Sequence, residues 1–293
     1  MKLIDGKKIS NIQRLKIKEE VYRIKSKTGT IPGLATILIG KDPASQIYIK
    51  SKIEACKHVG IRSFHHDLTE NSSQKDIIDL IKNLNNNRDI DGILLQLPLP
   101  KNSYVQKCID EISPMKDVDG LHPMNIGVLS LSKNWDEIIR KSVLISCTPL
   151  GIMYLLEQSN IKICGKTAVV IGRSNLVGKP ISMLLLASNA TVIMTHSKTK
   201  NLKEICKSAD ILVVAIGNPK FINKDFIKNG ATVIDVGINR THDGLCGDVD
   251  LDTVRNMNIK ITPTPGGVGP MTITMLLENT LKAFNNRRKN SSQ

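Results

Sequence analysis

Aromatic residues are scarce in this chain of 293 residues, which has four Phe, four Tyr and one Trp. Proteins that grip single-stranded nucleic acid stack its bases on such side chains. The shortage argues against that class even though the net charge is +14, and no helix-turn-helix or RNP-type motif compensates. Long apolar runs are missing too. No apolar stretch reaches the length of about 18 residues that a membrane-spanning helix needs. The first ten residues are charged from the second position and lack an apolar core, so no signal peptide is expected. Cysteine pairs are also absent. The six cysteines stand at 56, 108, 147, 164, 206 and 246, no two closer than 17 residues, so no zinc-type spacing occurs. No metal is expected, and the thiols read as reduced and mostly packed, in a cytoplasmic compartment. Acidic residues are few, 27 against 41 Lys plus Arg. Such an excess suits an enzyme for acidic small molecules. A drift of composition accounts for it equally well, since 31 of the cations are Lys and the chain also holds 39 Ile and 23 Asn.

What is present is an alternation of strand-like and helix-like segments. Residues 7–27 carry apolar residues at helical spacing. Leu34–Ile39 is a short apolar run, read as a strand buried on both faces. Asp42-Pro43 is a helix start, with a capping acid and a proline at the first helical position, and Gly60 ends that helix. Strand 61–68, helix 73–85 and strand 91–95 follow. Residues 96–150 lose periodicity and carry prolines at 98, 100, 114, 123 and 149. They read as site-forming loops with one short helix near 104–110, and 131–141 as a surface excursion. Alternation resumes as helix 150–158, strand 167–172, helix 178–188, strand 190–195, helix 201–207, strand 211–216, helix 223–228, strand 232–236 and strand 259–262. Helix 270–284 closes the pattern, and the polar tail 285–293 is expected to fray. Such alternation makes an α/β protein with mostly parallel sheets. We expect two domains, a catalytic one over 1–146 plus 273–293 and a Rossmann-like one over 147–272, with the active-site cleft between them.

The strand 166–172 ends in Gly172, and Arg173-Ser174-Asn175-Leu176-Val177-Gly178 leads into a helix. A strand–glycine turn–helix can cradle a pyrophosphate, because backbone N–H groups and the positive helix end face the anion. The spacing departs from G-x-G-x-x-G, with Ser174 at the second glycine, so a plain βα turn remains an alternative. NAD sites place an acid about 20 residues on, for the ribose 2′-hydroxyl. Here the next strand runs into His196-Ser197-Lys198, without an acid. Arg173, Ser174, Ser197 and Lys198 suit a 2′-phosphate instead, which predicts NADP. The strand ends Ala215-Ile216-Gly217-Asn218 and Asp235-Val236-Gly237-Ile238 read as the remaining walls of a dinucleotide site, although each glycine alone fits an ordinary turn.

Tyr48 and Lys52 are four residues apart on the helix begun at Asp42-Pro43, which puts them on one face. A lysine moves protons usefully only when its surroundings lower its pKa toward neutrality. On spacing alone Lys52 is more readily a solvated charge. Beyond spacing, Ala44–Lys52, Asp91–Pro100 with Gln96, Pro114–Pro123 with Asp119, Cys147-Thr148-Pro149, Val170–Pro180 and Pro263–Thr272 resemble, in order, the motifs of the bifunctional methylenetetrahydrofolate dehydrogenase/cyclohydrolase family. The resemblance runs from about residue 3 to residue 284. It departs only at Ser146 and Ile152, where Pro and Val are common.

The resemblance implies an NADP-dependent oxidation of 5,10-methylenetetrahydrofolate to the methenyl compound, then hydrolysis to 10-formyltetrahydrofolate. It makes Lys52 the acid/base of the hydrolytic step, with Tyr48 along the aminobenzoyl ring and Gln96 tuning the lysine. Asp119 would grip the pterin ring through two acceptor oxygens, with Leu97, Pro263, Gly266 and Gly267 along the folate. Gly172, Arg173, Ser174, Ser197 and Ile238 would hold NADP. It further implies a folate substrate in mono- or polyglutamylated form, a homodimer through the Rossmann domains, and neither nucleic acid nor membrane as partner.

Overall fold

The computed structural model describes residues 1–100, 104–242 and 244–290. In chain order the elements are β1 (Lys2–Leu3), α1 (Gly6–Thr28), β2 (Gly33–Ile39), α2 (Pro43–Val59), β3 (Arg62–Leu68), α3 (Gln74–Asn86), β4 (Gly92–Leu95), α4 (Val105–Glu111), α5 (Pro123–Ser130) and α6 (Trp135–Arg140). There follow α7 (Cys147–Gln158), β5 (Thr167–Ile171), α8 (Gly178–Ala187), β6 (Thr191–Thr195), α9 (Leu202–Lys207), β7 (Ile211–Val214), β8 (Thr232–Asp235), β9 (Asn239–Thr241), β10 (Gly244–Cys246), α10 (Leu251–Val254), β11 (Lys260–Ile261) and α11 (Val268–Asn290).

The chain divides into two compact units. The first comprises Ile12–Val128, Ser142–Cys147 and Ile273–Gln293. It is built on a parallel sheet of order β3-β2-β4. The apolar run Gly33–Ile39 is buried at every position because it is the central strand. Ala35, Ile37 and Ile39 pack with Ile77 and Ile81 of α3 and with Ile93 and Leu95 of β4. The chain leaves β2 for β3 on one side and returns to β4 on the other. The strand order therefore reverses at β2, the place where open α/β sheets form a binding crevice outside their carboxyl ends. α2 starts there: the Asp42 carboxylate accepts from Ser45 N at 2.8 Å, Pro43 occupies the first turn, and Gly60 closes the helix at φ 84°.

The second unit comprises Met1–Asn11, Leu129–Lys141 and Thr148–Thr272. Its sheet is parallel with order β1-β11-β8-β7-β5-β6. Val169, Ile171, Leu212, Val214 and Val233 lie in its buried core. Here the order reverses at β5, flanked by β6 on one side and β7 on the other. The carboxyl ends of β5 and β7 thus stand where open α/β sheets form a binding crevice.

Several details depart from the sequence expectation. Residues 1–11 and 129–141 group with 148–272 rather than with the rest of 1–146, and β1 explains the first case by pairing with β11. The stretch 131–141 is largely exposed, as a surface excursion is, but it holds an unforeseen short helix: Asn134 caps α6 by accepting from Glu137 N at 3.0 Å, and Ile138 is fully buried. α5 was not expected in the loop region either. It begins at Pro123, a residue suited to a first helical turn. Residues 101–103 of that region lie outside the described residues. The expected helix 223–228 is a single 3₁₀ turn, Lys224–Phe226. The hairpin β9–β10 and the short α10 carry no periodicity by which to foresee them. The tail does not fray from 285. α11 continues to Asn290, tied by Arg287, which pairs with buried Asp91 at 2.8 Å and donates to the Ile90 carbonyl at 2.9 Å. Residues 291–293 of that tail are outside the described residues.

Candidate active site

In the first unit the reversal point at β2 gathers four groups. Lys52 sits in the third turn of α2, and Gln96 follows β4 directly, its backbone N–H on the Ile37 carbonyl at 2.9 Å. The Lys52 ammonium donates to Gln96 Oε1 at 2.8 Å, and Gln96 Nε2 donates to the Leu97 carbonyl at 2.7 Å. The amide's orientation is thereby fixed, with its oxygen toward the lysine. Tyr48, one turn earlier on α2, stays 38% exposed, so its ring is available to a ligand.

Asp119 comes from the loop 114–122, which is anchored at several points. The Ile93 N–H donates to the Lys116 carbonyl at 2.7 Å, which lays the loop along β4. Buried Lys116 caps the carboxyl end of α3, donating to the carbonyls of Leu84, Asn85 and Asn87 at 3.0, 2.7 and 2.8 Å. Buried Asp117 accepts from His122 N at 2.8 Å and from Asn125 Nδ2 at 2.9 Å. Gly120 has φ +66°, and a Cβ there would lie 2.3 Å from backbone atoms of Ile145 and Ser146. Asn279 of α11 donates to the Val118 carbonyl at 2.8 Å and to the Ile145 carbonyl at 2.7 Å.

The electrostatics follow from burial. Desolvation lowers the Lys52 pKa, and the negative field of Asp119 resists that. Desolvation likewise raises the Asp119 carboxyl, with the Lys52 ammonium pulling it back. The buried thiol of Cys147 is pushed well up, and that of Cys56 up to about 12. A lysine whose amine is eased toward neutrality, oriented by a fixed amide and facing a carboxylate, can accept and return a proton.

The second unit places Gly172 at the end of β5 with φ +124°, where a Cβ would meet the Ala215 carbonyl oxygen at 2.3 Å. Gly178 opens α8, and a Cβ there would lie 2.3 Å from the Gly172 oxygen. The turn is closed by Ser174 Oγ, which accepts from Val177 N at 3.1 Å. Arg173 and Ser174 are exposed at this turn, and Ser197 and Lys198 at the end of β6. That second turn holds itself: His196 N donates to Thr199 Oγ1 at 2.9 Å and Lys198 N to His196 Nδ1 at 3.1 Å. Ile238 follows β8 and is 45% exposed. The missing Cβ atoms thus let this turn pack tightly against the end of β7 and the start of α8, giving the strand–glycine turn–helix arrangement that binds a pyrophosphate in dinucleotide folds. The loop of Pro263, Gly266 and Gly267 packs on the chain start: Lys7 N donates to the Gly266 carbonyl at 2.9 Å. The structure thus brings Tyr48, Lys52, Gln96, Leu97 and Asp119 into one unit, and Gly172, Arg173, Ser174, Ser197, Ile238 and the Pro263 loop into the other.

Sequence reasoning did not single out Asp117, Asn125, Cys147 or Asn279, which carry or surround Asp119. Asp117 and Cys147 lay within the family motifs but were given no role there, and the partners of Asn279 are distant in sequence. It also missed the buried carboxylates Asp235 and Asp248, of which Asp235 stood at a quoted strand end. Burial raises Asp235 to about 6.

Comparison with known proteins gives a consistent result. Residues 4–119 match the catalytic-domain model of tetrahydrofolate dehydrogenase/cyclohydrolase, and residues 146–288 match the model of its NAD(P)-binding domain. The chain is 53% identical over 290 residues to the bifunctional protein FolD of Campylobacter hominis, covering 99% of each chain. It is 51% identical over 283 residues to FolD of Agathobacter rectalis, covering 96% of this chain and 98% of the other. Among solved structures, FolD of Campylobacter jejuni is similar with a TM-score of 0.93 and 45% identity, covering 98% of this chain and 99% of that one. The Trypanosoma brucei enzyme, solved with NADP cofactor and inhibitor, is similar with a TM-score of 0.91 and 36% identity, covering 97% of each. On these grounds the chain belongs to the tetrahydrofolate dehydrogenase/cyclohydrolase family.

Proposed function

We propose that Tyr48, Lys52, Gln96 and Asp119 form the catalytic and folate-binding centre of this enzyme. Leu97, Pro263, Gly266 and Gly267 line the folate, and Gly172, Arg173, Ser174, Ser197 and Ile238 hold NADP. The enzyme oxidises 5,10-methylenetetrahydrofolate to 5,10-methenyltetrahydrofolate with NADP and hydrolyses the product to 10-formyltetrahydrofolate. It is both an oxidoreductase and a hydrolase.

The observation that carries the site assignment is the Lys52–Gln96 hydrogen bond of 2.8 Å in a setting that lowers the lysine pKa. In the hydrolytic step water adds to the methenyl carbon, and the neutral Lys52 amine takes a proton from it. The resulting ammonium returns a proton to the ring nitrogen as the carbon–nitrogen bond breaks, and the carbinol O–H proton leaves to solvent as the formyl C=O forms. Asp119 offers two acceptor oxygens to an amino-pyrimidine edge, and Tyr48 offers a ring face to the aminobenzoyl group. Oxidation asks the chain mainly for positioning. NADP, when bound, supplies the hydride acceptor. Arg173 and Lys198 are the exposed cations suited to its 2′-phosphate.

The test is Lys52→Met, followed by NADPH and methenyl-folate absorbance together. Loss of the general acid/base effect lowers hydrolysis by about 10²–10⁴-fold, more than it lowers hydride transfer. Full hydrolysis in that variant refutes the assignment.

The proposed division into a catalytic and an NADP domain follows the expected one, 1–146 plus 273–293 and 147–272, except that 1–11 and 129–141 go with the NADP domain. A homodimer through the NADP domain is supported by β6, an edge strand whose Ile193 and Met194 are exposed beside exposed Leu186 of α8. A cytoplasmic location is supported by six free cysteines. The chain's net charge of +14 would also favour a polyglutamylated tail.

A further inference from the structure

Asp248 is fully buried, and its carboxylate accepts from three consecutive backbone N–H groups. Oδ2 takes Ile216 N at 2.8 Å and Gly217 N at 3.0 Å, and Oδ1 takes Asn218 N at 2.9 Å. Oδ1 also accepts from Asn239 Nδ2 at 2.8 Å. Successive N–H groups converging on one point form an anion-binding nest, and here the anion is the protein's own. Asp248 is held in turn from behind, its backbone N–H on Asp235 Oδ1 at 3.0 Å. Glycine lets the neighbouring backbone approach, since a Cβ on Gly237 would lie 2.3 Å from Asp248 Oδ1. The nest sits at the carboxyl end of β7, next to Ala215, whose carbonyl abuts Gly172.

We propose that Asp248 is a positioning residue for the dehydrogenase reaction: it fills the N–H cluster of Ile216–Asn218 and so fixes that loop as a wall of the NADP site. This rests on the reading of the Gly172 turn as the place where NADP binds. Two consequences follow from the geometry. The loop has no free N–H at 216–218 to offer a phosphate, so the pyrophosphate is left to the Gly172–Gly178 turn. The loop meets the cofactor with its carbonyls and side chains instead.

Asp248→Asn tests the role. An amide keeps the shape, but whichever way it turns its NH₂ faces backbone donors, and at least one N–H of the nest loses its acceptor. The expected result is a rise of about ten- to a hundredfold in KM and Kd for NADP. kcat at saturating NADP changes much less, hydrolysis of methenyl-folate without NADP is retained, and the amides of 216–218 exchange faster than in the parent. Gly172→Ala is run beside it. Unchanged NADP affinity in Asp248→Asn, with affinity lost in Gly172→Ala, overturns the positioning role alone. Unchanged affinity in both variants overturns the cofactor reading and the proposal with it. Loss of both activities in Asp248→Asn, with a collapsed melting temperature, assigns the carboxylate to general stability and also overturns the proposal.

Discussion

Replacing Gln96 by Glu is the sharpest probe of the proton carrier, because it keeps the side chain's shape and puts a charge beside the lysine, at the cost of the Nε2 bond to the Leu97 carbonyl. The Gln96 amide oxygen lies 2.8 Å from Lys52 Nζ. A carboxylate there attracts the ammonium by about 1.5 kcal/mol even at the dielectric constant of bulk water, equivalent to about one pH unit. Less water at the site strengthens the effect, and neighbouring opposite charges move a pKa by about one to three units. The sign is fixed. Burial lowers the Lys52 pKa, and the step needs the neutral amine, so hydrolysis rises with pH as the amine loses its proton. A new anion holds the proton on. The rising limb therefore moves to higher pH by at least about one unit, and along that limb the rate at a fixed pH falls about tenfold for each unit moved. At sufficiently high pH the rate recovers. The assay is the decay of methenyl-folate absorbance without NADP, across pH. A limb that stays in place, or a loss equal at every pH, would remove Lys52 from the role given to it.

Further outcomes are expected. Removing the cations in Arg173→Ala and Lys198→Ala should raise KM for NADP about tenfold or more while leaving KM for NAD nearly unchanged; steady-state kinetics with both coenzymes decides it, and a parallel loss for both sinks the 2′-phosphate assignment. Gly120→Ala combines a positive φ with a Cβ 2.3 Å from backbone of Ile145 and Ser146, so it should cost about 1–3 kcal/mol in denaturant titration and raise KM for folate by moving Asp119; a parent-like midpoint would contradict the packing. Carbon-13 titration should place the Asp235 carboxyl near pH 6. Its folded pKa lies above the unfolded carboxylate value, so its contribution to stability is complete below about pH 4 and is lost as pH rises through 6. An ordinary carboxylate midpoint would show that the N–H groups of Gly237, Asp248 and Val249, each donating to this carboxylate at 3.0 Å, outweigh burial.

Much of the frame was legible because local chemistry decides it. Asp42-Pro43 and Gly60 bracket α2 with a cap and a left-handed stop, and the largely apolar run at 34–39 reads as a strand covered on both faces. The loop region was less legible. α6 depends on Asn134 as cap and on a buried Ile138, and no apolar stripe of useful length precedes them. The site divides in the same way. Helical spacing put Tyr48 beside Lys52, yet only the family motifs singled Lys52 out among 31 lysines. The groups that hold Asp119 in place were invisible, since Asn279 reaches Val118 across 161 positions of sequence. Asp248 is equally remote from the loop it binds, 30 to 32 positions away.

The turn after β6 has a bearing on how coenzyme choice could change. Its shape is kept by His196 and Thr199, through bonds from His196 N to Thr199 Oγ1 and from Lys198 N to His196 Nδ1. Ser197 and Lys198 contribute exposed side chains to it, and neither of those side chains braces the turn in these bonds. Scaffold and reading head are separate residues in one short turn. An acidic side chain at 197 would repel a 2′-phosphate and accept from a 2′-hydroxyl while the backbone keeps its bonds. Preference for one dinucleotide over another is thereby evolvable by single substitutions that leave folding untouched.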